Sequence, residues 1–246
     1  LTRTSDGFFL VLVYLNGIQL AQFLLHNFDL KRTLPLEFAT DLVSRVALGL
    51  ESAHGQSDAH GVPIGIVHRD VSPKNVMINT EGEVKLTDFG IAKAKNYIEQ
   101  DEERVLMGKV EYMSPEQADY EGTDLRSDLL ALGMVDAELL SGNNNYSGSD
   151  TNDTLERVKR AELPRIELER RDVPPEIVKI VNKALQKDPM QRYQTATDMV
   201  YDLEYQMYSR GYGPTIASFA KYTAELFPKH NFATPKRTPL NSNIGG

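Results

Sequence analysis

The run IVHRDVSPKNVMI, residues 66–78, sets His68, Arg69 and Asp70 ahead of Asn75, which lies five positions beyond Asp70, between two apolar segments. On its own the pattern is weak, because one acid between apolar runs does no more than cap a turn. The order of the later residues carries more: Asp88-Phe89-Gly90 begins eighteen residues after Asp70, then come Ser114-Pro115-Glu116, Asp128 and Gly133 in an apolar stretch, and Arg192. A carboxylate, a carboxamide and a second carboxylate are hard oxygen donors. Brought together, such a set can take a proton from a reacting hydroxyl and hold a divalent cation.

Those side chains need elements to hold them. Residues 76–78 and 84–86, VMI and VKL, flank NTEGE and read as a small hairpin. FFLVLVYLNG, residues 8–17, is rich in aromatic and β-branched types and ends in Asn16-Gly17, as a hairpin strand leading into a turn. Leu36, Ala39, Leu42, Val43, Val46, Ala47 and Leu50 recur at three and four, the pattern of one buried helix face. Residues 127–140 are apolar and helical, and SGNNNYSGSDTND after them reads as a flexible loop. A helix starts at the prolines of PPEIVKIVNKALQ, and further helical stretches lie near 195–208 and 215–227. The polar stretch 93–104 reads as a surface loop and the tail from Thr234 as disordered.

With 246 residues and 41% hydrophobic content, the chain can bury a sizeable core. A net charge of −8 leaves no broad basic surface, which argues against nucleic acid or anionic membrane as the main partner. Cysteine is absent, so disulfides and thiolate metal sites are excluded, and a cytoplasmic setting fits. No apolar stretch reaches bilayer length, and Thr2, Arg3, Thr4 and Asp6 stand where a signal peptide would be apolar.

In the order His68-Arg69-Asp70 to Asn75, Asp88-Phe89-Gly90, Ser114-Pro115-Glu116, the sequence resembles the protein kinase superfamily. HRDVSPKNVMI and YMSPEQ are most similar to bacterial Ser/Thr kinases of the eukaryotic-like type. The resemblance implies an α+β fold, a mainly helical large lobe with short β-hairpins, with most of the small β-rich lobe absent from these residues. It implies ATP and Mg²⁺ as cofactors and a protein Ser/Thr hydroxyl as acceptor. Asp70 would be the carboxylate at that hydroxyl, and Asn75 and Asp88 would hold the metal. The carbonyl of Val13 and the amide of Leu15 would meet adenine, with Met77 beneath the ring, although any edge strand has the same apolar look. Glu116 and Arg192 would form a buried ion pair, and Asp128 would fix the backbone of the catalytic loop.

By the same resemblance, residues 1–15 are a remnant of the small lobe with the hinge, 16–210 the large lobe, 211–233 a helical extension and 234–246 a tail. Nothing before residue 8 resembles the glycine-rich loop, the strand lysine or its glutamate partner, so residues 1–246 alone are expected to show negligible transfer. The parent chain could still be active. Ser72 stands where a lysine reaches the γ-phosphate, and Lys109 where the substrate-facing loop has threonine. Either the cation has moved from one position to the other, or Lys109 is a solvated side chain. Between Gly90 and Ser114 there is no Ser or Thr, so the arginine of the HRD run lacks an ordinary phosphorylated partner. Glu99, Asp101, Glu102 and Glu103 either replace it or form a solvated face. Asp136 replaces an apolar residue of the central helix, where an unpaired carboxylate is costly, and Lys74 disfavours a preference for basic substrates. Two readings of the whole compete: an active kinase, or a pseudokinase scaffold that keeps the fold without transfer. A small-molecule kinase is disfavoured by YMSPEQ.

Overall fold

A computed structural model describes residues 2–4, 7–9, 14–89, 110–144, 146–162, 164–209, 211 and 213–228. The polar stretch 93–104, its acidic cluster and the tail from Thr234 lie outside the described residues, as do Val13, Gly90 and Lys109.

Strands β1 (Thr2–Thr4) and β2 (Gly7–Phe9) pair antiparallel, with Arg3 opposite Phe8. A second antiparallel sheet has the order β3-β4-β5, formed by Gly17–Gln19, Val76–Asn79 and Val84–Leu86. The hairpin expected at 76–86 is therefore present. Within it Val76 and Ile78 are fully buried and Met77 is half-buried on the opposite face, as a period of two requires. The expectation of a turn at Asn16-Gly17 is corrected: Gly17 opens β3 and pairs with Asn79. A Cβ on Gly17 would collide with the carbonyl of Ile78, so the glycine is there for close backbone approach rather than for turning.

Helix α1 (Leu20–Asp29) comes directly after β3 and buries Leu20 and Phe23. Helix α2 (Leu36–His54) begins after Pro35 and buries Ala39, Leu42, Val43, Val46, Ala47 and Leu50, the face expected from their spacing. The short α3 (Pro115–Ala118) opens with Ser114 accepting from the Gln117 amide. Helix α4 (Leu125–Ser141), capped by Asp124, is buried along almost its whole length and ends at left-handed Gly142. It runs between α2, the short α6 (Ile166–Glu169) and α7 (Pro175–Ala184). Leu129, Leu132, Val135 and Leu140 are completely buried, each contributing about 1.5–3 kcal/mol by leaving water. Gly133 lets α7 come close, since a Cβ there would lie 2.7 Å from that of Ala184.

The loop expected from SGNNNYSGSDTND is shorter than its composition suggests. Helix α5 (Thr151–Arg160) starts inside it because Asp150 accepts from the Asp153 amide, and Tyr146 is buried. Helix α8 (Ala196–Tyr208) packs along α2. The last helix, α9 (Ile216–Leu226), packs on the core: Phe219 lies 5.4 Å from Phe38 and 6.4 Å from Phe23, ring centre to ring centre. His26 Nε2 donates to the Leu226 carbonyl at 2.9 Å, and Arg45 donates to the Gly82 carbonyl at 2.8 Å beside the Phe219 ring. Among the described residues no helix is long and apolar enough to cross a membrane.

Candidate active site

The loop from His68 to Asn75 is held from below by helix α4. Asp128, in its first turn, accepts the amides of His68 and Arg69, each at 2.7 Å, and the ring Nε2 of His54 at 2.9 Å. Arg69 takes φ 62°, a left-handed conformation that side chains other than glycine rarely adopt and that persists only where surrounding bonds enforce it. The His68 ring, wholly buried, ties two segments together. Its Nδ1 accepts the Asp70 amide at 3.2 Å, so the proton lies on Nε2, which donates to the Thr87 carbonyl at 2.9 Å.

Two of the three predicted oxygen-bearing residues, Asp70 and Asn75, join one network, which reaches Thr87 beside the third. Asn75 Nδ2 donates to the Asp70 carbonyl at 2.7 Å, and the Asn75 carbonyl accepts the Thr87 amide at 2.8 Å and its hydroxyl at 3.1 Å. Next to Thr87 stands Asp88, at φ 58°. The structure thus ties the backbones at 70, 75 and 87 together through His68 and Asn75. Since the Asn75 amide nitrogen is used on Asp70, its oxygen is the atom left to act as an acceptor. Asp70 and Asn75 are half-buried and Asp88 is exposed. Phe89 meets the His68 ring edge-on, with centres 4.6 Å apart.

Carboxamide and carboxylate oxygens at 75 and 88 suit Mg²⁺, which takes a few protein oxygens and completes its shell with water and phosphate. Among the described residues no group of three or more His, Cys, Asp or Glu side chains forms a self-sufficient metal cage.

Of the remaining predicted residues, Ser72 is buried and its carbonyl accepts the Asn75 amide at 3.0 Å. Leu15 and Met77 are both half-buried. Lys109, Gly90 and Val13 lie outside the described residues, so the expected approach of Lys109 to Ser72 does too.

Supporting contacts surround this loop. Arg192 grips Glu116 through two bonds of 2.7 and 2.8 Å, with Ser127 donating a third at 2.7 Å. Burial alone would raise the Glu116 pKa, but the bonds from Arg192 and Ser127 outweigh it and leave the carboxyl at about 2. Asp136 is buried, neither of its oxygens has a partner among the described residues, and burial pushes its carboxyl up to about 7. Sequence reasoning missed three contributors: His54, Thr87 and the pair Tyr112 to Glu138, in which the tyrosine hydroxyl donates to the carboxylate. His54 is marked in the sequence only as the last helical residue before Gly55; nothing there marks Thr87 or Glu138 as partners.

Residues 1–203 match the family model described as the protein kinase domain. The chain belongs to that family. Among curated protein kinases it is 35% identical over 81% of its length to the probable serine/threonine-protein kinase CPE1738 of Clostridium perfringens, covering 27% of that protein. It is 33% identical over 83% to the serine/threonine-protein kinase PrkC of Bacillus subtilis, covering 30% of it. It is also 33% identical over 86% to the tyrosine-protein kinase MasK of Myxococcus xanthus, covering 33% of it. The chain thus spans about a third or less of these kinases. Helix α9 lies beyond the residues that match the kinase family model.

Proposed function

We propose that this chain is the large-lobe part of a protein serine/threonine kinase, which transfers the γ-phosphoryl group of ATP to a protein hydroxyl. The observation that supports the reading is the hydrogen-bond network that joins Asp70, Asn75 and Thr87, the residue next to Asp88 in the chain. Asp70 orients the acceptor hydroxyl and takes its proton as the oxygen attacks phosphorus and the bond to the leaving diphosphate breaks. The Asn75 oxygen and the Asp88 carboxylate hold Mg²⁺, which when bound neutralises charge on the phosphates. Ser72 and Lys109 share the task of the missing loop lysine. The Val13 carbonyl and Leu15 amide receive adenine, and Met77 supports the ring from its half-buried face of β4.

Residues 1–15 form the remnant of the small lobe and the hinge, 16–210 the large lobe and 211–233 the extension, in a cytoplasmic protein. Because residues 1–246 contain no glycine-rich strand pair and no strand lysine, the chain alone transfers negligibly. A second reading, a pseudokinase scaffold, is favoured by Ser72 at the lysine position. The two are separated by incubating the full-length protein with γ-labelled ATP, Mg²⁺ and candidate protein acceptors. Labelled serine or threonine supports the kinase; labelled tyrosine moves the acceptor class; nucleotide binding without any labelled protein leaves the scaffold.

A further inference from the structure

The hairpin β4-β5 carries both proposed metal residues at its open end. Asn75 comes directly before β4 and Asp88 two residues after β5, and the amide and hydroxyl of Thr87 close that end on the Asn75 carbonyl at 2.8 and 3.1 Å. The two strands have four and three residues, and β5 is an edge strand. A hairpin that short is marginal by itself, so its direction depends on what grips it. At the turn the grip comes from α9. Gly82 is buried at φ 80°, and its backbone lies so near the helix that a Cβ there would fall 2.4 Å from the Ile216 carbonyl oxygen and 2.7 Å from the Ala220 amide nitrogen. The Gly82 carbonyl accepts Nη1 of Arg45 at 2.8 Å. The other two nitrogens of that guanidinium meet the Asp41 carboxylate at 2.7 and 3.1 Å, and its carbon stands 6.0 Å from the centre of the Phe219 ring. Arg45 thus fastens α2, the hairpin turn and α9 at one point.

The far end of α9 is fastened to α1. The Leu226 carbonyl accepts His26 Nε2 at 2.9 Å, and the Phe227 ring lies 4.5 Å from the His26 ring, centre to centre. Helix α1 continues from β3, whose Ile18 pairs with Ile78 of β4. The packing of Phe219 and Tyr222 on Phe38 is enough to seat a helix on the core. A buried left-handed glycine and a guanidinium bonded to two partners, both placed at the turn, add what seating does not require: they fix one direction for the hairpin.

Resting on the kinase reading above, we infer that α9 is a positioning element for phosphoryl transfer: through Arg45 and Gly82 it sets the direction of the β4-β5 hairpin, and with it the placing of the Asn75 oxygen and the Asp88 carboxylate around the metal. Arg45 and Ala220 are positioning residues that act through the hairpin. Arg45→Lys keeps a positive charge facing Asp41, but one ammonium replaces the fork that serves the carboxylate and the Gly82 carbonyl together. Ala220→Leu keeps a good helix former and pushes on the turn from the side of α9.

The test titrates Mn²⁺, which takes the same oxygen ligands as Mg²⁺, into the full-length protein with ADP and reads the free ion by electron paramagnetic resonance. Arg45→Lys and Ala220→Leu should each weaken Mn²⁺ binding about tenfold, the low end of the loss for changes behind a metal's own ligands. The Mg²⁺ needed for half-maximal transfer should rise in step, with KM for the protein acceptor unchanged, and the Thr87 amide should exchange its hydrogen faster. Tyr222→Leu, on the aromatic side of α9, is the control for stability: it should lower the melting temperature and leave Mn²⁺ affinity unchanged. Unaltered Mn²⁺ affinity in Arg45→Lys and Ala220→Leu overturns the positioning role and spares the kinase. An equal loss in Tyr222→Leu traces the effect to general destabilisation and also overturns it. A full-length protein that takes up no Mn²⁺ with ADP removes the kinase reading, and the positioning role with it.

Discussion

The carboxylate of Asp128 accepts the amide of Arg69 at 2.7 Å while Arg69 holds a left-handed φ of 62°. The acid compensates a backbone conformation that the residue would not choose, and the same side chain also binds the His68 amide at 2.7 Å. Asp128→Ala removes the buried acceptor of both amides and of the His54 ring, a loss of roughly 3–5 kcal/mol. A thermal melt should fall by about 10 °C for a domain of this size. A fall under 2 °C would show that the loop keeps its shape without the acid.

The Glu116 to Arg192 pair is buried and doubly bonded. Glu116→Gln leaves the guanidinium without its charge partner and should destabilise by about 3–5 kcal/mol at pH 7. The folded carboxyl sits at about 2, below its ordinary value of 4.5. Its contribution is therefore full above pH 4.5 and is lost as pH falls from there toward 2. Urea titrations of the two proteins should show their stability gap narrowing across that window, and a constant gap would remove the pair as its source.

Asp136 acts with the opposite sign. Its folded pKa is raised from 3.8 to about 7 by burial, so the folded state keeps a proton that the unfolded state has released, and stability falls as pH rises from about 4 to 7. Asp136→Leu should stabilise the protein by several kcal/mol at pH 8 and by much less at pH 4.5, read from urea midpoints. An equal effect at both values would mean that the carboxyl is solvated or paired.

Much of the fold is legible in the sequence. The buried face of α2 emerges from apolar spacing, the burial of α4 from its apolar composition, and the hairpin β4-β5 from two short strand-like runs around a turn, because burial selects apolar residues at those positions. The ordered motifs single out Asp70 and Asn75, which the structure joins through the Asp70 carbonyl. Less legible are features that depend on neighbours remote in sequence. Gly17 looks like a turn glycine because its need for close contact with Ile78 is a property of pairing. Helix α1 escapes a sequence reading although Leu20, Phe23, Leu24 and Phe28 repeat at three and four. The Asp150 cap is hidden in a stretch of loop-like composition. Asp136 stands out by its apolar surroundings in sequence, but its lack of partners emerges only from the packed helices.

Helix α9 is a structural part of the domain although it lies outside the family match. Phe219 is completely buried against Phe23 and Phe38, so Phe219→Ala should cost about 3–5 kcal/mol. Ile216, 52% exposed on the same helix, should tolerate alanine within about 0.5 kcal/mol. Chemical denaturation of both variants checks this; equal small losses would mean that the helix docks only loosely.

The most direct test is transfer of labelled phosphate from ATP to protein by the full-length protein and its Asp70→Asn variant, with nucleotide affinity measured alongside. On the proposed role of Asp70 as the acceptor of the hydroxyl proton, its replacement should lower the rate by about 10²–10⁴-fold while nucleotide binding changes less than twofold. A variant that transfers within twofold of the unaltered protein would contradict the assignment of Asp70, and with it the chemistry assigned to this site.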